Sequence, residues 1–142
     1  MPVEQILSNA QLVTADRVFY GTVLLRDGVI AEVNEGPSRL PQALDLNGDY
    51  LLPGLVELHT DNLERHMTPR PGVDWPSVPA VLSHDAQIIA AGITTVFDAV
   101  SIGDVNPKGN RMKKLPAMLD AIASAEGAGL TRAEHHLHLR CE

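Results

Sequence analysis

The strongest chemical signal in the sequence is a short apolar run that ends in a histidine and an aspartate. His59 and Asp61 close the segment Leu55-Val-Glu-Leu-His-Thr-Asp. If this segment is a strand, residues two apart share a face, so Glu57, His59 and Asp61 point the same way. An imidazole and a carboxylate side by side suit Zn²⁺, Mn²⁺ or Fe²⁺. The spacing predicts a divalent-metal site; the alternative is that the pair is hydrogen-bonded or caps the next segment.

A second polar face is predicted over residues 136–142, where polar and apolar side chains alternate. The polar set is His136, His138, Arg140 and Glu142, and the apolar set is Leu137, Leu139 and Cys141. In a strand the two sets face opposite sides. Inside a barrel the polar set would line the interior, and the apolar set would pack on helices. A solvent-facing strand is the alternative. His135 falls on the apolar face and receives no role.

Three strands and two helices are predicted to position these residues. They are the strands Leu55–His59, Ile93–Phe97 and His136–Cys141 and the helices Ser77–Ala91 and Leu115–Glu126. Ser77 is the predicted N-cap of the first helix, and Gly92 the residue after its end. Strands separated by helices imply right-handed parallel βαβ units. A complete (β/α)₈ barrel needs eight of each element and about 250 residues, so residues 51–142 are predicted to hold only part of one.

The first fifty residues have a different pattern, typical of a small β module. Short β-prone runs alternate with turn signals, among them Asn9. Asp27-Gly28 separates two such runs and predicts a type I′ hairpin turn, which needs positive φ at both central residues. Residues 1–50 are therefore predicted to form one domain and residues 51–142 another.

Two further polar residues lie within predicted elements. His84 falls on the apolar stripe of the first helix, which favours a structural histidine. Asp98 follows the second strand, where it would cap the next turn or support a metal ligand from behind. Of these two, capping or another structural role is the preferred interpretation.

Composition excludes several classes of protein. The 142 residues carry 18 Asp and Glu against 11 Lys and Arg, a net charge of −7, which argues against nucleic-acid binding. No apolar run approaches the roughly 20 residues of a membrane span, and no basic leader is present at the start. The single cysteine, Cys141, has no partner for a disulfide. A cytoplasmic protein is expected.

Several motifs together resemble the PhnM family of the amidohydrolase superfamily, the α-D-ribose 1-methylphosphonate 5-triphosphate diphosphatases of the carbon–phosphorus lyase pathway. They are Leu52-Pro-Gly54, His59-Thr-Asp-Asn-Leu-Glu-Arg-His66, Pro69-Arg-Pro-Gly-Val73, Ala91-Gly-Ile-Thr-Thr-Val-Phe-Asp-Ala99 and His138-Leu-Arg-Cys-Glu142. The resemblance covers essentially the whole chain. It implies an α/β fold: a partial (β/α)₈ TIM barrel, with its first three strands present, preceded by a small N-terminal β-sandwich module.

The resemblance also implies an activity. It is metal-dependent hydrolysis of a ribosyl methylphosphonate triphosphate to the 5-phosphate and pyrophosphate, in phosphonate metabolism. The metal ion would be Zn²⁺, Mn²⁺, Fe²⁺ or Mg²⁺. Asp61 replaces the second histidine of the usual superfamily motif, which favours the harder ions Mn²⁺ and Mg²⁺. Glu142 is implied as a further metal ligand, and His66 and Arg70 as substrate contacts. No catalytic residue is assigned.

The expected partners follow from that activity. They are the small-molecule polyphosphate substrate and either further copies of the chain or a complementary C-terminal fragment, with no nucleic acid and no membrane. The isolated chain is predicted to be inactive, because the superfamily's later histidines and catalytic aspartate have no counterpart here. The alternatives are an amidohydrolase acting on a C–N bond (a deacetylase, deaminase or cyclic amidase) and a non-catalytic interaction module.

Overall fold

The computed structural model describes residues 3–103 and 111–141. The chain forms two compact units, residues 1–53 and 54–142. The elements in chain order are β1 (Glu4–Val13), β2 (Val18–Arg26), β3 (Val29–Glu35), β4 (Leu44–Asp45), β5 (Tyr50–Leu51), β6 (Leu55–Thr60), α1 (Asn62–Met67), α2 (Ser77–Ala90), β7 (Ile93–Ile102), α3 (Arg111–Gly127) and β8 (Glu134–Cys141).

The first unit is built on one five-stranded sheet. Its strands run in the order β3-β2-β1-β4, and the short β5 also pairs with β1. Strands β1 to β3 are antiparallel, whereas β4 and β5 pair with β1 in parallel. Asp27 and Gly28 have φ of 51° and 82°, which confirms the predicted tight hairpin turn. The described residues contain no second sheet in this unit, so a β-sandwich stays a prediction.

Strand β1 is continuous through the position where the sequence predicts a turn. Asn9 has φ of 59°, and the pairing with β2 shifts register between Leu7 and Ala10. Asparagine tolerates this conformation because its short side chain hydrogen-bonds locally, and here Asn9 Nδ2 donates to Asp45 Oδ1 at 2.5 Å. The turn prediction at Asn9 is wrong: the residue forms a β-bulge.

The second unit is a three-stranded parallel sheet with three helices. The strand order is β6-β7-β8, and both pairs are parallel, as predicted. The largest core cluster joins all three helices to β7. Its buried members are Leu63, Met67, Ala80, Val81, Val100, Met118, Ala121, Ile122 and Ala125.

The start of this unit's first long helix and the segment before it differ from the prediction. A short helix, α1, lies where a loop is predicted, because burial of Leu63 and Met67 stabilises it. Helix α2 begins at Ser77 itself, with Pro76 in the N-cap position, so the capping role predicted for Ser77 is wrong. Gly92 follows α2 with φ of 80°, as predicted.

Strand β7 continues to Ile102, beyond the predicted end at Phe97. Asp98 therefore lies inside the strand and caps no turn, so of the predicted capping or structural role only the structural one agrees with its position. Val96, Asp98 and Val100 are buried on the face that carries the helices. The opposite face holds Phe97, Ala99 and Ser101, which pair with the polar residues of β8.

The apolar face of β8 is not packed on helices. Leu137 and Leu139 pair with Asp98 and Val100 and share their face, yet they remain 47% and 59% exposed. Within the described residues β8 is an edge strand, and α2 and α3 pack on β7. The packing of these leucines on helices, expected inside a complete barrel, therefore stays a prediction. None of the described helices has the length and apolar character needed to cross a bilayer.

Candidate functional site

A β-bulge presents His59 at the carboxyl end of β6. Between the pairs Glu57↔Val96 and Thr60↔Asp98, β6 advances three residues while β7 advances two. Bulges bend a strand, re-aim a side chain and are over-represented beside active sites. The backbone N–H of His59 donates to Glu57 Oε1 at 3.0 Å, which holds the bulge. The local irregularity therefore lies at the histidine singled out by the sequence.

His59 and Asp61 lie together, as their spacing predicts. The Nε2 atom of His59 is 3.6 Å from Asp61 Oδ2, and both side chains are a little under half exposed. Metal bonds of about 2.1 Å place adjacent ligand atoms about 3.0–3.4 Å apart. The observed separation is therefore within a few tenths of an ångström of what one shared ion requires. The donor set fits a divalent cation.

Arg140 holds the carboxylate of Asp61 in place. Its Nη1 donates to Oδ1 at 3.0 Å and to Oδ2 at 3.2 Å, while its Nη2 donates to Ser101 Oγ at 2.9 Å. Hydrogen bonds between a guanidinium and a carboxylate are charge-assisted, so this pair has a defined geometry. The sequence placed Arg140 on the correct face of β8 but did not predict its contact with Asp61.

His138 joins the same group from β8. Its Nδ1 lies 3.1 Å from the backbone carbonyl oxygen of Leu58. Its ring meets the ring of His59 edge to face, with centroids 4.9 Å apart and planes at 87°. The polar cluster on this sheet face therefore contains His59, Asp61, His138, Arg140 and Ser101.

The remaining predicted site residues lie elsewhere or outside the described residues. His66, on α1, has its Nε2 2.9 Å from Gln87 Oε1 and its ring 5.6 Å from that of His84, so it packs against α2. Arg70 lies in the following loop, in a bridge with Val73. Glu142 lies outside the described residues, so its predicted role as a metal ligand stays a prediction.

A second cluster is buried on the opposite, helix-bearing face of the sheet. Asp98 accepts hydrogen bonds from His84 Nε2 through Oδ1 and from His135 Nδ1 through Oδ2, both at 2.7 Å. His135 Nε2 lies 3.4 Å from Asp85 Oδ1. All four side chains are at most 2% exposed. These contacts join β7, β8 and α2.

Charge in this cluster is balanced around His135. Burial lowers the pKa of His135, but the hydrogen bond and the charge of Asp98 outweigh burial and raise the pKa above its usual value. Burial raises the pKa of Asp98, but hydrogen bonds from His135 and His84 hold it below its usual value. Burial opposes ionisation of Asp85 as well, and backbone N–H groups of Ala133 and Arg132 lower its pKa. An imidazolium between two carboxylates is the favoured state.

The buried cluster has the contacts of a hydrogen-bonded network. Ligand atoms of His84, Asp98 and His135 lie within 4.8 Å of one another, which is close enough for three groups around an ion. However, the two 2.7 Å separations are charge-assisted hydrogen bonds and are shorter than the roughly 3.0–3.4 Å between ligands of one ion. His84 is therefore structural, as predicted. The sequence did not predict the role of His135 in this network. The signal was its place on the apolar, buried face of β8, opposite the buried Val96 of β7.

Comparison with known proteins gives one sequence relative and several similar folds. No protein-family profile matches the chain. The chain is 52% identical over 137 residues to the alpha-D-ribose 1-methylphosphonate 5-triphosphate diphosphatase of Escherichia coli K12. The match covers 96% of this chain and 36% of that protein. The chain thus spans about a third of the length of the relative it matches.

Solved structures of similar fold include three hydrolases. A D-hydantoinase superposes with a TM-score of 0.60 at 21% identity, over 96% of this chain and 27% of that one. The dihydropyrimidinase of Brevibacillus agri gives 0.57 at 19% identity, over 96% and 27%. The N-isopropylammelide isopropylaminohydrolase of Burkholderia multivorans gives 0.57 at 21% identity, over 94% and 36%. At these identities the likeness concerns the fold alone.

Proposed function

We propose that this chain, a sequence relative of the PhnM diphosphatases in the amidohydrolase superfamily, supplies part of the active site of a metal-dependent hydrolase of phosphonate catabolism. The reaction proposed is hydrolysis of alpha-D-ribose 1-methylphosphonate 5-triphosphate to the 5-phosphate and pyrophosphate. The 52% identity over 137 residues carries the proposal and confirms the resemblance identified from the motifs. Because the chain spans 36% of that relative, the activity and substrate are proposals for the whole protein.

The parallel sheet supports the proposal that the site lies at the mouth of a (β/α)₈ barrel. In (β/α)₈ enzymes the chemistry lies at the carboxyl ends of the parallel strands, on loops and strand ends. His59 is the penultimate residue of β6, and Arg140 is the penultimate residue of β8. Both lie at those ends on the face without helices. We infer that β6, β7 and β8 are the first three strands of such a barrel and that residues 1–53 form its accessory β module.

The metal ion would be held by His59 and Asp61, with Glu142 as a further proposed ligand. When bound, a divalent ion lowers the pKa of its water toward about 7 and neutralises phosphate charge. A protein of net charge −7 needs such cations to bind a triphosphate. Arg140 adds a fixed positive charge beside Asp61, and its bond to Ser101 keeps the guanidinium on this face. His66 and Arg70 remain proposed substrate contacts.

The rest of the barrel is proposed to come from additional polypeptide. The exposed Leu137 and Leu139 on β8, and Val56 and Leu58 on β6, are apolar side chains that further barrel elements would cover. We therefore expect the isolated 142-residue chain to release no pyrophosphate. A complementary C-terminal segment is the favoured source of the missing strands, and association of identical chains is the alternative. The assembled enzyme is proposed to be cytoplasmic.

A chimera tests the function directly. The matching 137 residues of the Escherichia coli diphosphatase would be replaced by this chain, and pyrophosphate release from the ribosyl methylphosphonate triphosphate would be measured with Mn²⁺ or Zn²⁺ present. We expect activity in the chimera and its loss on His59→Ala, with His136→Ala as the matched control. A folded, metal-loaded chimera that hydrolyses a cyclic amide such as dihydrouracil, and not the triphosphate, would overturn the proposal.

A further inference from the structure

We propose that His138 is a positioning residue, which holds the peptide group before His59 and the ring of His59 itself in one orientation beside Asp61. This role rests on the proposed metal site of His59 and Asp61, and it deepens that proposal by naming what orients one of the two ligands. His138 acts from outside the ligand set. Within the part of the chain that the structure describes, three ligand atoms come within 4.8 Å of one another at His84, Asp98 and His135, on the opposite face of the sheet.

The bulge in β6 leaves the backbone before His59 without support from the neighbouring strand. Leu58 and His59 have no pairing partner in β7, because the register skips them. A bulge disrupts the ladder locally, and backbone groups that lose a ladder partner need another donor or acceptor. The direction of His59 therefore depends on the contacts that replace the ladder.

Two side chains supply those contacts, one at each edge of the same peptide group. Nδ1 of His138 lies 3.1 Å from the carbonyl oxygen of Leu58, and because a carbonyl oxygen only accepts, Nδ1–H donates. On the other edge, the N–H of His59 donates to Glu57 Oε1 at 3.0 Å. A peptide group is planar from one Cα to the next. The two bonds together therefore fix the plane that ends at the Cα of His59.

The ring of His138 also restricts the ring of His59. Their centroids are 4.9 Å apart and their planes meet at 87°, an edge-to-face arrangement within the range of about 4.5–7 Å that aromatic pairs favour. The side chain of His59 is 43% exposed, so solvent alone leaves several staggered rotamers open to it. The ring contact favours the rotamer in which Nε2 of His59 lies 3.6 Å from Asp61 Oδ2.

Strand β8 reaches β6 in the same way at two positions. His138 pairs with Ala99 of β7, and the next residue on that face, Arg140, pairs with Ser101. Both partners in β7 are small and at most 4% exposed. Paired residues of parallel strands project from the same face, so each long side chain passes over a small one. His138 then reaches the bulge, and Arg140 reaches Asp61. Each of the two proposed ligands is thus held from β8.

NMR of the metal-free 142-residue chain tests this role without reference to activity. Three-bond couplings between the backbone and Cγ of His59 report its rotamer, and exchange of the His59 amide proton reports how firmly the peptide group is held. We expect one rotamer in the unmodified chain. In His138→Ala the couplings should become averaged, and the amide proton should exchange about threefold to tenfold faster, as loss of one hydrogen bond allows.

Two variants separate positioning from other effects. His138→Asn keeps an N–H donor, because its Nδ2 lies the same number of bonds from the Cα as Nδ1 of histidine, and it should restore the slow exchange of the His59 amide proton. His136→Ala is the matched control: His136 lies on the same face of β8, where its Nε2 is 3.3 Å from Glu134 Oε1. It should leave the couplings and the exchange of His59 unchanged.

Titration with Co²⁺, followed by visible absorption and calorimetry, measures the consequence for the proposed metal site. His138→Ala should weaken binding by about tenfold, as loss of a residue that supports a ligand does. His138→Asn should recover most of that loss. A residue that bound the ion through Nε2 would not be replaced by asparagine, which has no group at that place. His136→Ala should bind like the unmodified chain.

The outcomes distinguish the positioning role from the metal site. Unchanged couplings and amide exchange in folded His138→Ala, or an unchanged Co²⁺ affinity, would overturn the inference and leave the site of His59 and Asp61 standing. A lower urea midpoint without those changes would mean that the bond only stabilises the sheet, which also overturns it. If the folded, unmodified chain binds no Co²⁺, the proposed metal site on this chain fails, and the positioning of its ligand fails with it. If His138→Ala does not fold, His138→Phe, which keeps a ring and lacks the donor, takes its place.

Discussion

Replacement of Asp98 by asparagine tests whether the buried network holds the second unit together. Asp98 is fully buried and accepts hydrogen bonds at 2.7 Å from His84 and His135. Asparagine has nearly the same shape, so the change removes the charge and one acceptor without opening a cavity. The Nδ2 group of the asparagine then lies against the N–H of one histidine, so two hydrogen-bond donors face each other.

The magnitude follows from those two contacts. Hydrogen bonds to charged groups contribute about 1.5–3 kcal/mol each, and breaking a buried charge pair costs about 3–5 kcal/mol. Asparagine retains one acceptor, and His84 relieves part of the conflict by moving its proton to the buried Nδ1, which has no partner in the described residues. We therefore expect the free energy of unfolding to fall by about 3 kcal/mol at pH 6.

Urea denaturation followed by circular dichroism measures the loss. Asp120→Asn, at an exposed position on α3, is the matched control, with an expected change within about 0.5 kcal/mol. If Asp98→Asn does not fold, His84→Asn removes one of the two bonds and should cost about 1.5–3 kcal/mol. Because loss of the His135 proton removes a charge that Asp98 pairs with, the effect of Asp98→Asn should be smaller at pH 9 than at pH 6. A loss equal to that of Asp120→Asn at both pH values would refute the reasoning.

Three further predictions concern pH, a turn and the sheet face. The pKa of His135 is raised in the folded state, so its contribution to the free energy of unfolding is complete below about pH 6.5 and is lost as the pH rises through the folded pKa. The urea midpoint should therefore fall with rising pH, and His135→Gln should make it less dependent on pH. Gly28 has φ of 82°, so Gly28→Ala should lower the free energy of unfolding by about 1 kcal/mol. Gly127→Ala in α3 should leave that free energy equal or higher, and equal losses for the two variants in urea denaturation would contradict this. Ala99 is 3% exposed, so Ala99→Leu should overpack the sheet face and lower the free energy of unfolding by about 1–3 kcal/mol. Ala117→Leu at an exposed position of α3 should leave it within about 0.5 kcal/mol in the same urea denaturation.

Local patterns in the sequence predict most of the second unit and the adjacency of its two main site residues. The alternation of strands and helices predicts the parallel pairs, and the two-residue spacing predicts that His59 and Asp61 share a face. These features depend on neighbours in sequence, where strand periodicity decides direction. The hairpin at Asp27-Gly28 is local in the same sense, because the turn conformation selects those two residues.

The missed features depend on packing between distant segments. Asp98 interrupts an apolar pattern, so the strand is predicted to end there; the partners that satisfy its charge, His84 and His135, are 14 and 37 residues away. Helix α1 has only six residues, too few for propensity alone to stabilise it. Contacts from His138 and Arg140 to β6 require the spatial order β6-β7-β8, which periodicity does not specify.

The two sheets differ in how far apart along the chain their paired strands lie. In the first unit, β1 to β3 are joined by turns at residues 14–17 and 27–28, whereas residues 61–92 lie between β6 and β7. Hairpins form in about 1–10 μs, and sheets with distant partners form more slowly because closure of a long loop precedes the gain in contacts. The antiparallel meander is therefore expected to form early and the parallel sheet late. The polar cluster that contains His59, Asp61 and His138 forms only after β6, β7 and β8 have paired. It is therefore expected to be among the last parts of the chain to assemble.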